Sequence, residues 1–585
     1  MNNLHTPWFE NAKKDVPLND YPTPQLQRED WLCLNGEYDY AITPLQENIP
    51  AEFDGKILVP FAIESELSGV QKALSENENL WYRKKVTLPA YFKGKRTVLH
   101  FQAVDYKATV FINGKKAGEH TGGYNPFSFD ITDLIGADEF EMVVKVFDPT
   151  DKSGQTRGKQ VQRPFGFWYT ATSGIWQTVW CEPVNENRIE KIAYTPDIDA
   201  STINIKTQVK GSGELYLKIS EEGKEIFSSR ISDNENIELS SQRLWSPESP
   251  FLYDVELSLI NGGAVTDKVK SYFGMRKFSV MRDEKGVNRL SLNNKPYFHR
   301  GLLDQGYWPE SGLTAPTDEA LIFDIEKMKE LGFNMLRKHI KVESARWYYH
   351  CDRLGMLVWQ DMPSGAKALN LILAGALPNI NVHIKDSHYA LFSRKDEKFR
   401  QEFLTELDEM LDNLYNCVSL CTWVPFNEGW GQFDAKETSE HIKEKDPTRF
   451  VDHASGWHDQ KGADFKSIHK YVLPVNAPTK HRTLDRPVVL SEYGGYQNSV
   501  EGHTWSSEKS FGLYLKFKDK ASLSKHYEAL HEKQIIPLIK RCLCATVYTQ
   551  VSDVENELNG IYTYDRKKLK INEETVKNIN KKLCY

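Results

Sequence analysis

The sequence predicts a multidomain fold, an N-terminal jelly-roll β-sandwich, an immunoglobulin-like β-sandwich and a C-terminal (β/α)8 barrel. Three observations carry this. Alternating apolar runs flank Asn113-Gly114, the strongest short hairpin signal. Short strands separated by turn signals then continue for roughly one hundred residues. From about residue 282 apolar strands alternate with helical stretches, the pattern of a parallel sheet. At 585 residues the chain is too long for one core, and roughly three or four domains are expected.

Residues 1–185 hold "TVLHFQAVDYKATVFINGKKAGEH", "FEMVVKVFD" and "SGIWQTVWCEP", with little helical period. A jelly-roll sandwich fits them. Residues 186–281 hold "TINIKTQVKG", "ELYLKIS", "FLYDVELSLI" and "KVKSYFGMRKFSV", which suit an immunoglobulin-like sandwich. In residues 282–585 eight strands are expected: 297–303, 334–340, 357–361, 418–426, 449–453, 467–471, 488–492 and 545–549. The clearest helices between them are 318–331 and 396–415, and the loop 363–395 is long enough to carry short elements of its own. Eight such units in about 300 residues close into a barrel.

Composition narrows the function. A net charge of −7 with no basic stripe gives no footprint for nucleic acid. No apolar run reaches the roughly 18 residues of a membrane span. The polar N-terminus lacks a signal core, and no C-x-x-C pair occurs among the eight Cys. Cys417, Cys421, Cys542 and Cys544 lie in apolar runs and read as buried free thiols of a reducing compartment. A cytoplasmic enzyme is expected, although a trimmed signal peptide would leave the same sequence. No cofactor is expected: there is no phosphate loop, H-E-x-x-H or G-x-S-x-G, and the scattered acids give no metal-ligand spacing, which leaves metal dependence open.

Chemistry in a (β/α)8 barrel sits at the C-terminal ends of the strands. Polar residues cluster there: Asp304, Arg337, His339, Asp361, Asn427, Glu428, His469, Tyr471, Glu492 and Gln550. A lone Glu such as Glu428 in "WVPFNEGWGQ" is as readily a helix-start residue. Two, after strands 4 and 7, point instead to a pair facing one substrate atom. Cleavage of a glycosidic bond needs such a pair, one an acid and the other a nucleophile or stabiliser. The aromatic neighbours Trp423, Phe426 and Trp430 are expected to desolvate Glu428 and raise its pKa, as an acid requires. Glu492, with Tyr493, Tyr471 and His469 as candidate donors, fits the ionised nucleophile. Asn427 is a candidate partner for a sugar hydroxyl and Trp457 a candidate stacking face. Arg337 and His339 either bind substrate or pair with Asp304 and Asp361. Asp553 and Glu555 are expected to pair with neighbouring bases.

These motifs in this order resemble glycoside hydrolase family 2, the β-galactosidase, β-glucuronidase and β-mannosidase family. The resemblance covers essentially the whole chain. "FINGKKAGEHTGGYNPFSFDIT" and "SGIWQTVW" are similar to its sugar-binding domain, "YFGMRKF" to the exit of its immunoglobulin-like domain, and "ELGFNMLRKHI" and "CDRLGMLVWQDMP" to barrel strands 2 and 3. "WVPFNEGWGQ" resembles the acid/base motif, which implies that role for Glu428 and 2-hydroxyl contact for Asn427. "LSEYGG" resembles the nucleophile motif, which implies Glu492, and "IHKY" implies Tyr471 as its support. A retaining exo-β-glycosidase follows, with β-galactosidase as the first substrate class and β-glucuronidase, β-mannosidase or α-L-arabinosidase as alternatives. Three departures stand out. Tyr548 occupies the place of the family's strand 8 Trp, the Asn-x-Lys signature of the glucuronidases has no counterpart between Glu492 and strand 8, and the chain stops soon after the barrel. A carbohydrate-binding protein with an inactive barrel is the competing class, and the sandwiches are candidate interfaces of a homo-oligomer. The expected partner is an oligosaccharide or glycoside.

Overall fold

The computed structural model describes the chain except residues 1–3, 137, 367–376, 380–381, 472–473, 476–484 and 507–513. The first sandwich packs a six-stranded antiparallel sheet on a four-stranded one. Its predicted hairpin joins Lys107–Ile112 to Lys115–Thr121, and Asn113 (φ 50°) and Gly114 (φ 74°) supply the two positive φ values of a type I′ turn. Leu80, Tyr82, Leu99, Phe101 and Val110 meet between the sheets. The second sandwich packs three strands on four around Ile203, Leu217 and Leu257. The run expected as one strand, "KVKSYFGMRKFSV", divides. Ala264–Phe273 stays in the sandwich, whereas Phe278–Arg282 pairs with Asn288–Leu292 in a separate small sheet. Phe278, Leu290 and Leu292 from that sheet pack on barrel residues such as Met335 and Leu357.

The eight barrel strands are His299–Asp304, Met335–Lys338, Leu357–Asp361, Leu420–Val424, Phe450–Val451, Lys466–Lys470, Val488–Gly494 and Leu543–Thr549. They form one parallel sheet in the order 5-4-3-2-1-8-7-6. Between strands 5 and 6 the sheet is bridged by Asp464, whose amide donates to Val451 O at 3.1 Å. Strands 2 to 5, 7 and 8 are buried along their whole length, as expected of a sheet covered on both faces. The two clearest helices are Asp318–Glu330 and Glu397–Leu414, the first capped by the Thr317 side chain and the second by Asp396. In the long third loop Leu377–Asn379 is a short helix, and part of that loop lies outside the described residues.

The sandwich and the barrel share a core. Tyr124, Tyr169 and Trp176 lie in the same apolar cluster as Leu302, Leu336 and Trp423. A segment of the first domain, residues 148–173, lies over the barrel mouth. The Arg157 and Gly158 amides donate to Ser364 O at 3.0 and 2.9 Å. Trp168 meets Trp430 edge-on at 4.8 Å, with the Arg157 guanidinium 5.1 and 5.0 Å from the two rings. Among the described residues no helix is long and apolar enough to cross a membrane. Six of the eight cysteines are buried, the four expected ones included, and all eight are free.

Candidate active site

Glu428 is not a helix-start residue. The next helix begins only at Ala435, and Glu428 itself sits at φ 54° with Gly429 at φ 65°. A left-handed conformation costs a non-glycine residue about 1–2 kcal/mol. Here it turns the chain sharply at the strand end and presents the carboxylate to the mouth, with 24% of the side chain exposed. Strain of this kind concentrates at functional sites. Glu492, still inside strand 7, is buried with 5% side-chain exposure. Carboxylate oxygens of Glu428 and Glu492 and a ring nitrogen of His469 all lie within 4.8 Å of one another. This is the single trio of metal-compatible spacing among the described residues.

The partners divide by strand parity. Arg337 is fully buried and grips Asp361 with two bonds of 2.8 and 2.9 Å. Nη2 also donates to Asn427 Oδ1 at 2.9 Å, while Nη1 donates to Ser491 O at 3.0 Å and lies 3.5 Å from Glu492 Oε2. Arg337 therefore props up the floor beneath the pair. Asn427 spends its oxygen on Arg337, which leaves its amide nitrogen as a donor. His339 Nδ1 lies 2.7 Å from Asp361 Oδ2. Burial, reinforced by the Lys159 charge, holds this imidazole well below its usual pKa, so Nδ1 donates and Nε2 remains an acceptor. Tyr471 donates a short hydrogen bond to Glu492 and lies 3.1 Å from the Thr549 hydroxyl. His469 Nε2 stands 2.9 Å from Glu428 Oε1 and 3.9 Å from Glu492 Oε1. Trp457 packs against the His469 ring at 5.0 Å and keeps part of its surface open.

Several expectations are corrected. The aromatics around Glu428 turn elsewhere: Trp423 Nε1 donates to Asp446, Phe426 stacks on Phe403, and Trp430 packs on Trp168. Burial pushes Glu428 up, but His469, then Lys159 and Arg337, outweigh it and hold the carboxyl below its usual value. Burial likewise pulls His469 down, and Glu492 and Glu428 outweigh it and hold the imidazole above its usual value. Tyr493 does not serve Glu492, because its hydroxyl bonds His531 at 2.7 Å. Tyr548 does not floor the pocket. It lies on the outer face of strand 8 among Tyr493, Tyr496 and Tyr527, and the next residue, Thr549, is the one that reaches Tyr471. Asp304 faces outward too, paired with Lys338 at 2.7 Å and held by the Gly306 amide at 3.0 Å. Gln550 is fully buried and donates to Asn559 at 2.6 Å, one layer behind the pocket.

Sequence reasoning missed a second set. Asp553 pairs with Lys570 at 2.5 Å as expected, but Glu555 accepts the Thr170 amide at 2.8 Å and meets no base among the described residues. Glu557, two residues on, accepts from Tyr169, from Asn559 at 3.0 Å and from Tyr514 at 3.3 Å. Tyr514 in turn meets the Tyr471 ring edge-on at 5.0 Å. Tyr169 comes from the first domain, as does Lys159, whose ammonium lies 5.6 Å from the Tyr169 ring centre. The aromatic, Pro- and Gly-bearing run "RPFGFWYT" was the available signal for this loop.

Fold and site define a class, a barrel protein with a close glutamate pair at the strand ends and two sandwiches in front of it. Residues 49–180 match the sugar binding domain of Glycosyl hydrolases family 2, residues 187–276 match Glycosyl hydrolases family 2, and residues 284–582 match the TIM barrel domain of that family. The chain belongs to glycosyl hydrolases family 2. It is 24% identical over 580 residues to a β-galactosidase of Leuconostoc mesenteroides, covering 90% of this chain and 51% of that one. It is 27% identical over 406 residues to a β-glucuronidase of Bacteroides fragilis, covering 64% and 54%. The chain thus spans about half the length of these two relatives. A β-glucuronidase structure from Ruminococcus gnavus shares the fold, with a TM-score of 0.76 at 15% identity over 96% of this chain and 99% of that one.

Proposed function

We propose that the protein is a retaining exo-β-glycosidase that acts on a neutral sugar, a β-galactoside first. The observation that carries the reaction is the spacing of the glutamates: oxygens within 4.8 Å leave no room for the water of an inverting enzyme, which needs about 6.5–9.5 Å between carboxyl groups. Glu428 protonates the glycosidic oxygen as the C–O bond breaks, and Glu492 attacks the anomeric carbon. Glu428, now a carboxylate, then takes a proton from water, which releases the sugar with its configuration kept. Tyr471 orients the nucleophile, and the Asn427 amide donates to the sugar 2-hydroxyl.

A neutral sugar is favoured because the barrel's own cations are spent. Arg337 is fully buried on Asp361, Asn427 and Ser491, and Lys338 is locked to Asp304 and Glu343. Glu557, linked through Tyr514 to the nucleophile's partner, adds a carboxylate where a uronate would be repelled. One observation favours β-glucuronidase instead: Lys159, half-buried at the mouth, makes no ion pair among the described residues. Nitrophenyl β-galactoside, β-glucoside, β-mannoside, α-L-arabinoside and β-glucuronide decide between them. The galactoside is expected to give the highest kcat/KM. A glucuronide far above every neutral sugar, with that preference lost in Lys159→Ala, overturns the neutral reading.

A further inference from the structure

A second cavity, of about 430 Å³, opens on the seam between the first sandwich and the barrel. That size falls within the roughly 300–1,000 Å³ of small-molecule sites. The sandwich supplies Glu64 and Ala171, and the barrel supplies Tyr307, Trp308, Trp505 and Glu555. Neither Glu428 nor Glu492 lines it, and Tyr169, Glu557, Tyr514 and Tyr471 stand in turn between it and Glu492. Tyr169, fully buried, meets Tyr307 edge-on at 4.9 Å on the cavity side and donates to Glu557 on the other.

The chemistry of the lining is specific. Glu64 Oε2 accepts the Ser173 amide at 2.9 Å, whereas Oε1 is buried with no hydrogen-bond partner among the described residues. Burial pushes Glu64 up to about 8 and Glu555 up to about 7. A protonated carboxyl both donates and accepts. Trp308, in the barrel side of the lining, has Nε1 as a further buried donor without an acceptor among the described residues. Buried polar atoms left unmatched in this way call for a partner. Hydroxyl groups answer both needs, and the aromatic wall suits the C–H face of a ring. Three acids, Glu64, Glu66 and Glu555, line the cavity and disfavour an anion, and burial shifts two of them, Glu64 and Glu555, toward the neutral form, which weakens the hold on a cation.

We propose that this cavity is a second saccharide site, which takes a neutral hydroxylated ring and is separate from the catalytic pair. The proposal rests on the glycosidase reading only for the choice of sugar, which is the product of the proposed reaction. The test is calorimetric titration of full-length Glu492→Ala with galactose, with and without a saturating galactose-configured iminosugar. Two classes of site are expected without the iminosugar and one with it. The surviving class should weaken at least tenfold in Glu64→Ala and in Trp505→Ala. It should persist in Glu64→Gln, whose amide also donates and accepts. Where Glu64→Ala fails to fold, as judged by circular dichroism, Trp505→Ala at the cavity rim carries the same reading. A single class abolished by the iminosugar overturns the proposal. So does a surviving class indifferent to both alanine variants, or one lost in Glu64→Gln and selective for glucosamine, which would mean a charged carboxylate. Failure of the glycosidase reading shows separately, as no turnover of any nitrophenyl glycoside by the wild type.

Discussion

At the scale of single residues the proposed reaction divides its labour between two carboxylates. Removing Glu492 leaves a hole beside Tyr471 and Arg337 where a small anion fits. Glu492→Ala should abolish turnover, and azide should restore part of it as a glycosyl azide of inverted configuration, seen by NMR. Wild-type rate in Glu492→Ala sinks the assignment. Glu428→Gln should slow alkyl glycosides by about 10²–10⁴-fold and dinitrophenyl glycosides far less, because good leaving groups need little protonation. An equal loss for both argues that Glu428 is not the acid. A hydrogen bond to a charged group is worth about 1.5–3 kcal/mol, so Tyr471→Phe should lower kcat/KM roughly ten- to a hundredfold. His469 changes the pH argument. Its imidazole is held above the usual value and Glu428 below it, so the proton needed for the first step belongs to the pair. The alkaline limb of kcat/KM should therefore report the loss of that shared proton. His469→Asn leaves Glu428 to hold it alone and should move the limb toward acid; an unmoved limb removes His469 from the account.

At the scale of elements, the segment 148–173 joins the first sandwich to the site. Thr156 in this segment donates to both oxygens of Glu406 on the helix Glu397–Leu414. Burial pushes the Glu406 carboxyl up to about 8. A folded-state value raised above the unfolded one gives stability that is present at low pH and lost as pH rises through the folded value. The window runs from the usual carboxylate range near 4.5 to about 8. The loss inside it is at most about 1.4 kcal/mol per pH unit. Glu406→Gln keeps an acceptor for Thr156 and removes the ionisation. Thermal melts between pH 6 and 9 should show the wild type losing stability relative to Glu406→Gln. Parallel curves would mean that Glu406 titrates elsewhere.

At the scale of the whole molecule the sandwich and barrel share one core, with Tyr124, Tyr169 and Trp176 packed in the same cluster as the barrel's Leu302 and Trp423. The barrel cut at residue 282 would expose that surface and lose Tyr169 and Lys159 from the mouth. Calorimetry should show the first sandwich and barrel melting in one transition, and the isolated barrel should be inactive. An active, soluble 282–585 fragment would show that the shared core is dispensable.

The sequence alone determined the architecture and the two glutamates. Strand patterns survive in sequence because burial repeats along each element, and a barrel places its chemistry at the strand ends whatever the loops do. So Glu428, Glu492, Asn427, Arg337 and Tyr471 were legible by position. Only the tertiary structure decided what those groups face. Tyr548 and Thr549 are adjacent in sequence and on opposite faces of strand 8, a difference of one residue that pattern reading missed. Trp423 and Trp430 flank Glu428 in the chain, but their side chains engage Asp446 and Trp168, and the charges that set its proton, His469 and Lys159, come from another strand and another domain. Electrostatic energy depends on distance through space, so it is fixed only when the chain has folded.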